Sequence, residues 1–157
     1  MLISFDLDET LICRRGQVAS EPNQVPWVFR AWFDEPLRLG FCRLYRELRQ
    51  KGWQVCIYTT SLRPAWQIRF WLWWYGVRLA KVINQSSHAA QVGQTLAPCP
   101  SKHPPSYDIW VHVDDSELVV AEGERYGFKT ILVKPTDTDW VDQILASLEN
   151  SQTKRKG

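Results

Sequence analysis

No run of about 18 consecutive apolar residues occurs in the chain, so no transmembrane helix is read from it. The charged start and apolar stretch of a signal peptide are missing too, because acid arrives at Asp6, and a cytoplasmic location is expected. Cysteine is scarce: Cys13, Cys42, Cys56 and Cys99 stand far apart without a CxxC pair, which speaks for reduced thiols rather than a disulfide framework or zinc knot. Cys99 and His103 have a spacing a metal can use, and His88 shares their stretch, but two ligands do not make a zinc site. Neither sign of charge predominates, since 19 Lys and Arg face 17 Asp and Glu for a net +2. Internal repeats and a second domain are also absent, and 157 residues with 45% hydrophobic content describe one globular unit with a sizeable core.

What stands out is SFDLDETL, Ser4 to Leu11. Leu2, Ile3 and Phe5 make the short bulky run of a buried strand, which places Asp6 at its carboxyl end, where ligands bind in open α/β sheets. Residues i and i+2 of an extended segment share a side, so Asp6 and Asp8 can converge on one metal or reacting group. The alternative is that these carboxylates only start a turn or cap a helix.

The rest of the chain alternates helix and strand. Leu37, Phe41, Leu44 and Leu48 recur at helical spacing after Glu35-Pro36, with Gly52 as the stop. Trp53 to Tyr58 reads as a strand running into Thr59, Thr60 and Ser61; Pro64 opens a helix that ends at Gly76; Val77 to Ile83 reads as a third strand. Residues 84–107, with four prolines, read as a long irregular loop. Ile109 to Val113 is a fourth strand ending in Asp114-Asp115, Glu117 to Tyr126 a helix, and Thr130 to Val133 a fifth strand. A last helix starts at Thr138 or Asp139 and buries Ile144, Leu145 and Leu148, while 151–157 reads as a basic disordered tail. Residues 13–34 read as a flap on a core spanning 1–150. This alternation predicts a single-domain, three-layer α/β/α sandwich with a mainly parallel five-stranded sheet, order 3-2-1-4-5, and no cap domain.

Three strands therefore end in polar groups: Asp6 with Asp8, Thr59 with Thr60 and Ser61, and Asp114 with Asp115. If the first and fourth strands are neighbours, a crevice opens between their carboxyl ends and four aspartates surround one small volume. Carboxylates that close demand a cation, a shared proton, or both, and oxygen-only ligands select magnesium, typically beside a substrate phosphate.

On these residues the chain resembles the haloacid dehalogenase superfamily of phosphotransferases. DLDET at 6–10 matches that family's first motif, DxDx(T/V); Thr59 after an apolar strand matches the second; Asp114-Asp115 in HVDDS matches the acidic fourth. The third motif is a lysine, and SKHPP, twelve residues before Asp114, resembles the lysine segment of small members, which favours Lys102 over Lys81. The resemblance implies Asp6 as nucleophile forming an aspartyl-phosphate, Asp8 as acid and base, and Thr59 and Lys102 as holders of the phosphoryl oxygens. It implies Mg2+ on Asp6, the Asp8 carbonyl, and one or both of Asp114 and Asp115. Asp8 argues for a phosphatase or phosphotransferase, since dehalogenase members lack an acid there. The short gaps between motifs resemble capless members, among them protein phosphatases, polynucleotide 3′-phosphatases and some sugar-phosphate phosphatases.

A Mg-dependent phosphomonoester hydrolase is the leading expectation. A polynucleotide 3′-phosphatase and a non-catalytic binding or scaffold protein of the same fold are the alternatives. Thr60, Ser61 and Arg63 are expected to bind substrate, with Arg14, Arg15 and Arg38 as further anion-binding candidates. Arg43, Arg46, Arg49 and Lys51 can hold a polyanion or form a solvated helix face. PAWQIRFWLWWYG, apolar on nearly every side, is expected to be buried or to form a homodimer interface. His112 reads as a core or edge histidine in a strand.

Overall fold

The computed structural model of the chain describes residues 1–14, 16, 18–96 and 98–156, for 152–156 the backbone alone. Five strands, β1 (Leu2–Phe5), β2 (Gln54–Tyr58), β3 (Val82–Ile83), β4 (Val111–Asp114) and β5 (Lys129–Leu132), form one parallel sheet in the order β3-β2-β1-β4-β5, as expected. Alternation along the strands divides their side chains between two faces. Ile3 and Phe5, Val55 and Ile57, and Val111 and Val113 point to the larger core with Phe41, Leu44 and Leu48 of α2 (Phe41–Gln50). The same core takes Ile68, Trp71 and Leu72 of α3 (Ala65–Trp74), and Ile144, Leu145 and Leu148 of the last helix (Trp140–Lys156). Cys56 and Tyr58 point the other way, into a smaller cluster with Val92, Tyr107 and Ile109. That second face is polar at its centre, because Ser4 of β1 and His112 of β4 meet there, both buried.

Register brings the strand ends level. Phe5 lies opposite Ile57 on one side and Val113 on the other, so Asp6, Thr59 and Asp114 emerge from three adjacent strands along one edge of the sheet. Backbone bonds extend the ladder one step further: Asp6 N–H donates to Val113 O at 2.8 Å and Thr59 N–H to Ile83 O at 2.9 Å. Helix α5 (Glu117–Tyr126) then packs on β5 at Gly123, where a β-carbon would stand 2.8 Å from Phe128 O. Only glycine allows that approach.

Four expectations need correction. The helix expected from Glu35-Pro36 begins at Phe41, because Leu37 and Arg38 pair in extended form with Ile12 and Ser20, and Gly40 at φ 95° turns the chain into α2. Of the third strand only Val82–Ile83 joins the sheet, the preceding turn carrying Val77 into the core instead. Residues 84–107 are not irregular throughout: α4 (Gln85–Gln91) begins at Asn84, whose Oδ1 accepts from Ser87 N–H at 3.0 Å and whose Nδ2 donates to Arg63 O at 3.0 Å. An N-cap thus starts a helix that apolar periodicity does not announce, since His88 is its only buried residue. Finally α6 (Trp140–Lys156) continues through the tail expected to be disordered, because no glycine or proline interrupts it before Gly157, which lies outside the described residues.

The flap segment carries a 3-10 turn at Trp27–Phe29 and helix α1 (Arg30–Phe33), with Val25 and Phe33 in the core. No helix among the described residues is long and apolar enough to cross a membrane.

Candidate active site

Three buried charges meet where β1 and β4 end. The Lys102 ammonium, 3% exposed, donates to Asp6 Oδ1 and, at 2.6 Å, to Asp114 Oδ2. Its competitor Lys81 lies elsewhere, donating to Tyr107 O at 2.9 Å and standing 3.9 Å from Asp108. One ammonium between two carboxylates leaves the group net negative. Burial accordingly raises the Asp6 pKa to about 7, with Lys102 opposing and Asp114 adding to the rise. Burial works to raise Asp114 as well, but the hydrogen bond from His112 and the charge of Lys102 hold it well below the usual carboxylate range.

Behind Asp114 runs a relay that the sequence reading missed. His112 Nε2 lies 2.9 Å from Asp114 Oδ2 and His112 Nδ1 2.7 Å from Ser4 Oγ, both inside the sheet. Burial, with Lys102 adding, lowers the His112 pKa to about 4, so the imidazole is neutral at pH 7 and donates to Asp114 as a hydrogen bond. Ser116 N–H supplies Asp114 Oδ1 at 2.9 Å. The period-2 pattern was the available signal: Ser4 and His112 both stand where an apolar residue is expected, on strands that neighbour each other.

Thr59, at the end of β2, is buried and accepts from Ser61 N–H at 3.1 Å. Thr60 is exposed. Asp8 does not join Asp6 on Lys102; its half-exposed carboxylate takes a 2.9 Å bond from Arg63 Nη1, while Arg63 Nη2 reaches Glu35 Oε1 at 2.6 Å. Ser61 Oγ accepts from Arg63 Nη1 at 2.9 Å and fixes that arginine. Between Asp8 and the next turn Glu9 adopts φ 62°, a strained conformation for a residue with a side chain, immediately beside the site. Asp115 Oδ1 accepts from Thr10 at 3.2 Å, and burial followed by the neighbouring Asp114 raises its pKa.

The expectation of four aspartates around one volume is therefore corrected. Among the described residues no three His, Cys, Asp or Glu side chains gather closely enough to cage a metal. Lys102 and Arg63 neutralise the carboxylates separately, which keeps like charges apart. The donors present still fit a hard cation that keeps its own waters and needs only one or two carboxylates. Asp6 is short of positive charge and Asp115 takes only a 3.2 Å bond from the Thr10 side chain among the described side chains, whereas both oxygens of Asp114 are occupied.

The remaining arginines divide. Arg38 is not an anion site: it is 1% exposed, stacks over Trp140 at 4.6 Å, and donates to the carbonyls of Thr10, Lys134, Pro135 and Asp137 at 3.3, 2.9, 3.3 and 2.7 Å. It pins the loop after β1 to the loop after β5. Arg38→Met keeps part of the apolar stem and removes every donor, so it is expected to cost about 2–4 kcal/mol, read as a lower thermal midpoint. Arg14 is exposed and pairs loosely with Glu9 at 3.4 Å; Arg15 lies outside the described residues.

No family model and no curated protein matches the sequence. Among solved structures, the HAD domain of effector protein Lem4 from Legionella pneumophila, an inactive mutant, aligns with a TM-score of 0.55 over 95% of this chain and 93% of that one, at 12% identity. Likeness at that identity speaks for architecture alone, and it agrees with the parallel sheet in the order β3-β2-β1-β4-β5: the chain has a haloacid dehalogenase-like fold.

Proposed function

We propose that this protein is a magnesium-dependent phosphomonoester hydrolase without a cap domain, acting through an aspartyl-phosphate on Asp6. The observation that carries the reading is the buried Asp6–Lys102–Asp114 group at the adjoining ends of β1 and β4, with Thr59 at the end of β2. Lys102 occupies Asp6 Oδ1, which leaves Oδ2 to attack phosphorus as the bond to the leaving oxygen breaks. Asp8 protonates the departing alkoxide through Oδ1, its Oδ2 being held by Arg63. Water then attacks the aspartyl-phosphate, Asp8 takes its proton, and inorganic phosphate leaves with Asp6 restored. Lys102, carried by the loop before β4, would meet negative charge developing on the phosphoryl group, and the Thr59 hydroxyl would bind a second oxygen. Asp6, the Asp8 carbonyl and Asp115 would hold the cation, which when bound supplies charge neutralisation at the phosphoryl oxygens. The segment joining β1 to α2 holds only a 3-10 turn and α1, and that joining β2 to β4 holds α3, β3, α4 and a 3-10 turn, which supports an open site.

Hydrolysis of p-nitrophenyl phosphate in Mg2+ buffer tests this. EDTA is expected to lower the rate by about 100-fold or more, and excess Mg2+ to restore it. A rate indifferent to chelation would remove the metal from the proposal. The basic cluster lends a polynucleotide reading little support, because Arg43 is bonded to Glu47 and Asp142 and Lys51 to Glu149.

A further inference from the structure

Aromatic residues unused by this chemistry converge beside it. On α1 and the turn before it, Phe29, Trp32 and Phe33 fall at helical spacing, and on α3 Trp66 and Phe70 do the same. The two sets interlock: Phe29 meets Phe70 edge-on at 5.7 Å between centroids, Phe33 meets Phe70 at 5.3 Å, and Phe33 meets Trp66 at 6.4 Å. This packing explains much of the apolar character around α3, but not all. Between the two elements a groove of about 500 Å³ stays open, lined by Phe29, Trp32, Phe33, Trp66, Gln67 and Phe70. Trp32 and Trp66 on it are each 67% exposed. Its one polar side chain is engaged, as Gln67 Nε2 donates to Trp32 O at 3.2 Å.

The groove adjoins the Arg63–Glu35 pair beside the reacting groups. Trp32, Phe33 and Gln67 also line a void of about 10 Å³, too small for a ligand group, that places the groove next to Leu7, Glu35 and Arg63. Leu7 stands between Asp6 and Asp8 in sequence, and Arg63 bridges Asp8 to Glu35. Arg63 and Glu35 are partly exposed, so a group attached to the oxygen that Asp8 protonates would lie over that pair and reach the groove along the surface.

We infer that this groove seats an aromatic ring carried on the leaving-group side of a small phosphomonoester, an inference that rests on the phosphatase reading above. Ring faces and edges line the walls, so an aromatic occupant gains stacking that an aliphatic one does not. The volume lies within the range of small-molecule sites. The charges at the entrance are paired with each other, so the groove selects for an uncharged ring.

The test compares ethyl phosphate with 2-phenylethyl phosphate, two alkyl esters whose leaving oxygens are alike and which differ by the ring. The parent is expected to show a kcat/KM roughly 10- to 100-fold higher for the phenyl ester, the gain one stacked ring provides. In Trp32→Ala/Trp66→Ala that ratio is expected to fall toward one; both side chains are mostly exposed, and circular dichroism checks that the fold persists. Trp32→Phe/Trp66→Phe is expected to recover most of the ratio. Equal kcat/KM for the two esters in the parent overturns the inference, as does an unaltered ratio in the alanine variant. So does sedimentation that changes from dimer to monomer in that variant while the ratio holds, which would make this face a subunit interface. If neither ester is turned over, it is the phosphatase reading that fails. The groove is then read by tryptophan fluorescence, where quenching by the phenyl ester but not the ethyl ester, lost in the alanine variant, supports the ring site, and no ring-dependent quenching overturns it.

Discussion

Asp6→Asn is expected to fold normally and to hydrolyse p-nitrophenyl phosphate at least about a thousandfold more slowly than the parent. The amide matches the carboxylate in shape but cannot form an acyl phosphate, and Lys102 keeps Asp114 as a partner. A folded variant that retains the parent rate would end the case for Asp6 as nucleophile. The same substitution reads out the electrostatics. In the folded protein burial raises the Asp6 pKa from 3.8 to about 7, so between those values the folded state binds more protons than the unfolded one. The contribution of Asp6 to stability is complete below the lower value and lost as pH climbs through the upper. Asparagine does not titrate. Chemical denaturation of both proteins in metal-free buffer should therefore show Asp6→Asn gaining on the parent from pH 4 to pH 7, by on the order of a few kcal/mol. A constant difference across that range would mean that Asp6 titrates as a solvent-exposed carboxyl does.

Lys102→Met is expected to cost about 3–5 kcal/mol, the largest stability effect of any single substitution at the site. Removing the ammonium leaves two carboxylates, 9% and 2% exposed, buried together with no cation between them. Lys102 is also what restrains the rise of Asp6, so without it the Asp6 pKa goes higher and the penalty grows as pH increases. Urea midpoints of the single variants and of Lys102→Met/Asp6→Asn test the account. The second change, which removes one of the opposed carboxylates, should restore a substantial part of the loss. Additive losses would show that Lys102 and Asp6 do not interact energetically. Activity is expected to fall by about 100- to 1000-fold, since the charge facing the phosphoryl group goes with the lysine.

How far the sequence could be read depended on the range of the interactions involved. Strand ends were legible because apolar runs such as Leu2 to Phe5 and Val55 to Tyr58 stop at residues that favour turns, and parallel order followed from their alternation with helices. Where a local cue competed with the apolar period, the reading erred. Asn84 starts α4 through side-chain bonds from the Ser87 N–H and hydroxyl, and Gly40 delays α2 by one left-handed residue, and neither leaves a mark on hydrophobic spacing. Arg38 looked like a surface cation because its five acceptors, four carbonyls and an indole face, come from both neighbouring loops and from α6.

By itself, then, the sequence determined the order of the strands and of helices α2, α3, α5 and α6, the sheet, and the set of carboxylates and hydroxyls delivered to its carboxyl edge, because backbone propensity and period-2 burial act within a few residues. Only the tertiary structure decided which of those groups meet. That Lys102 rather than Lys81 lies between Asp6 and Asp114, that His112 and Ser4 support Asp114 from inside the sheet, and that Asp8 faces Arg63 all depend on strand register across separations of 55 to 108 residues. Electrostatic pairing in a buried site acts through distance in space, and no local pattern encodes that distance.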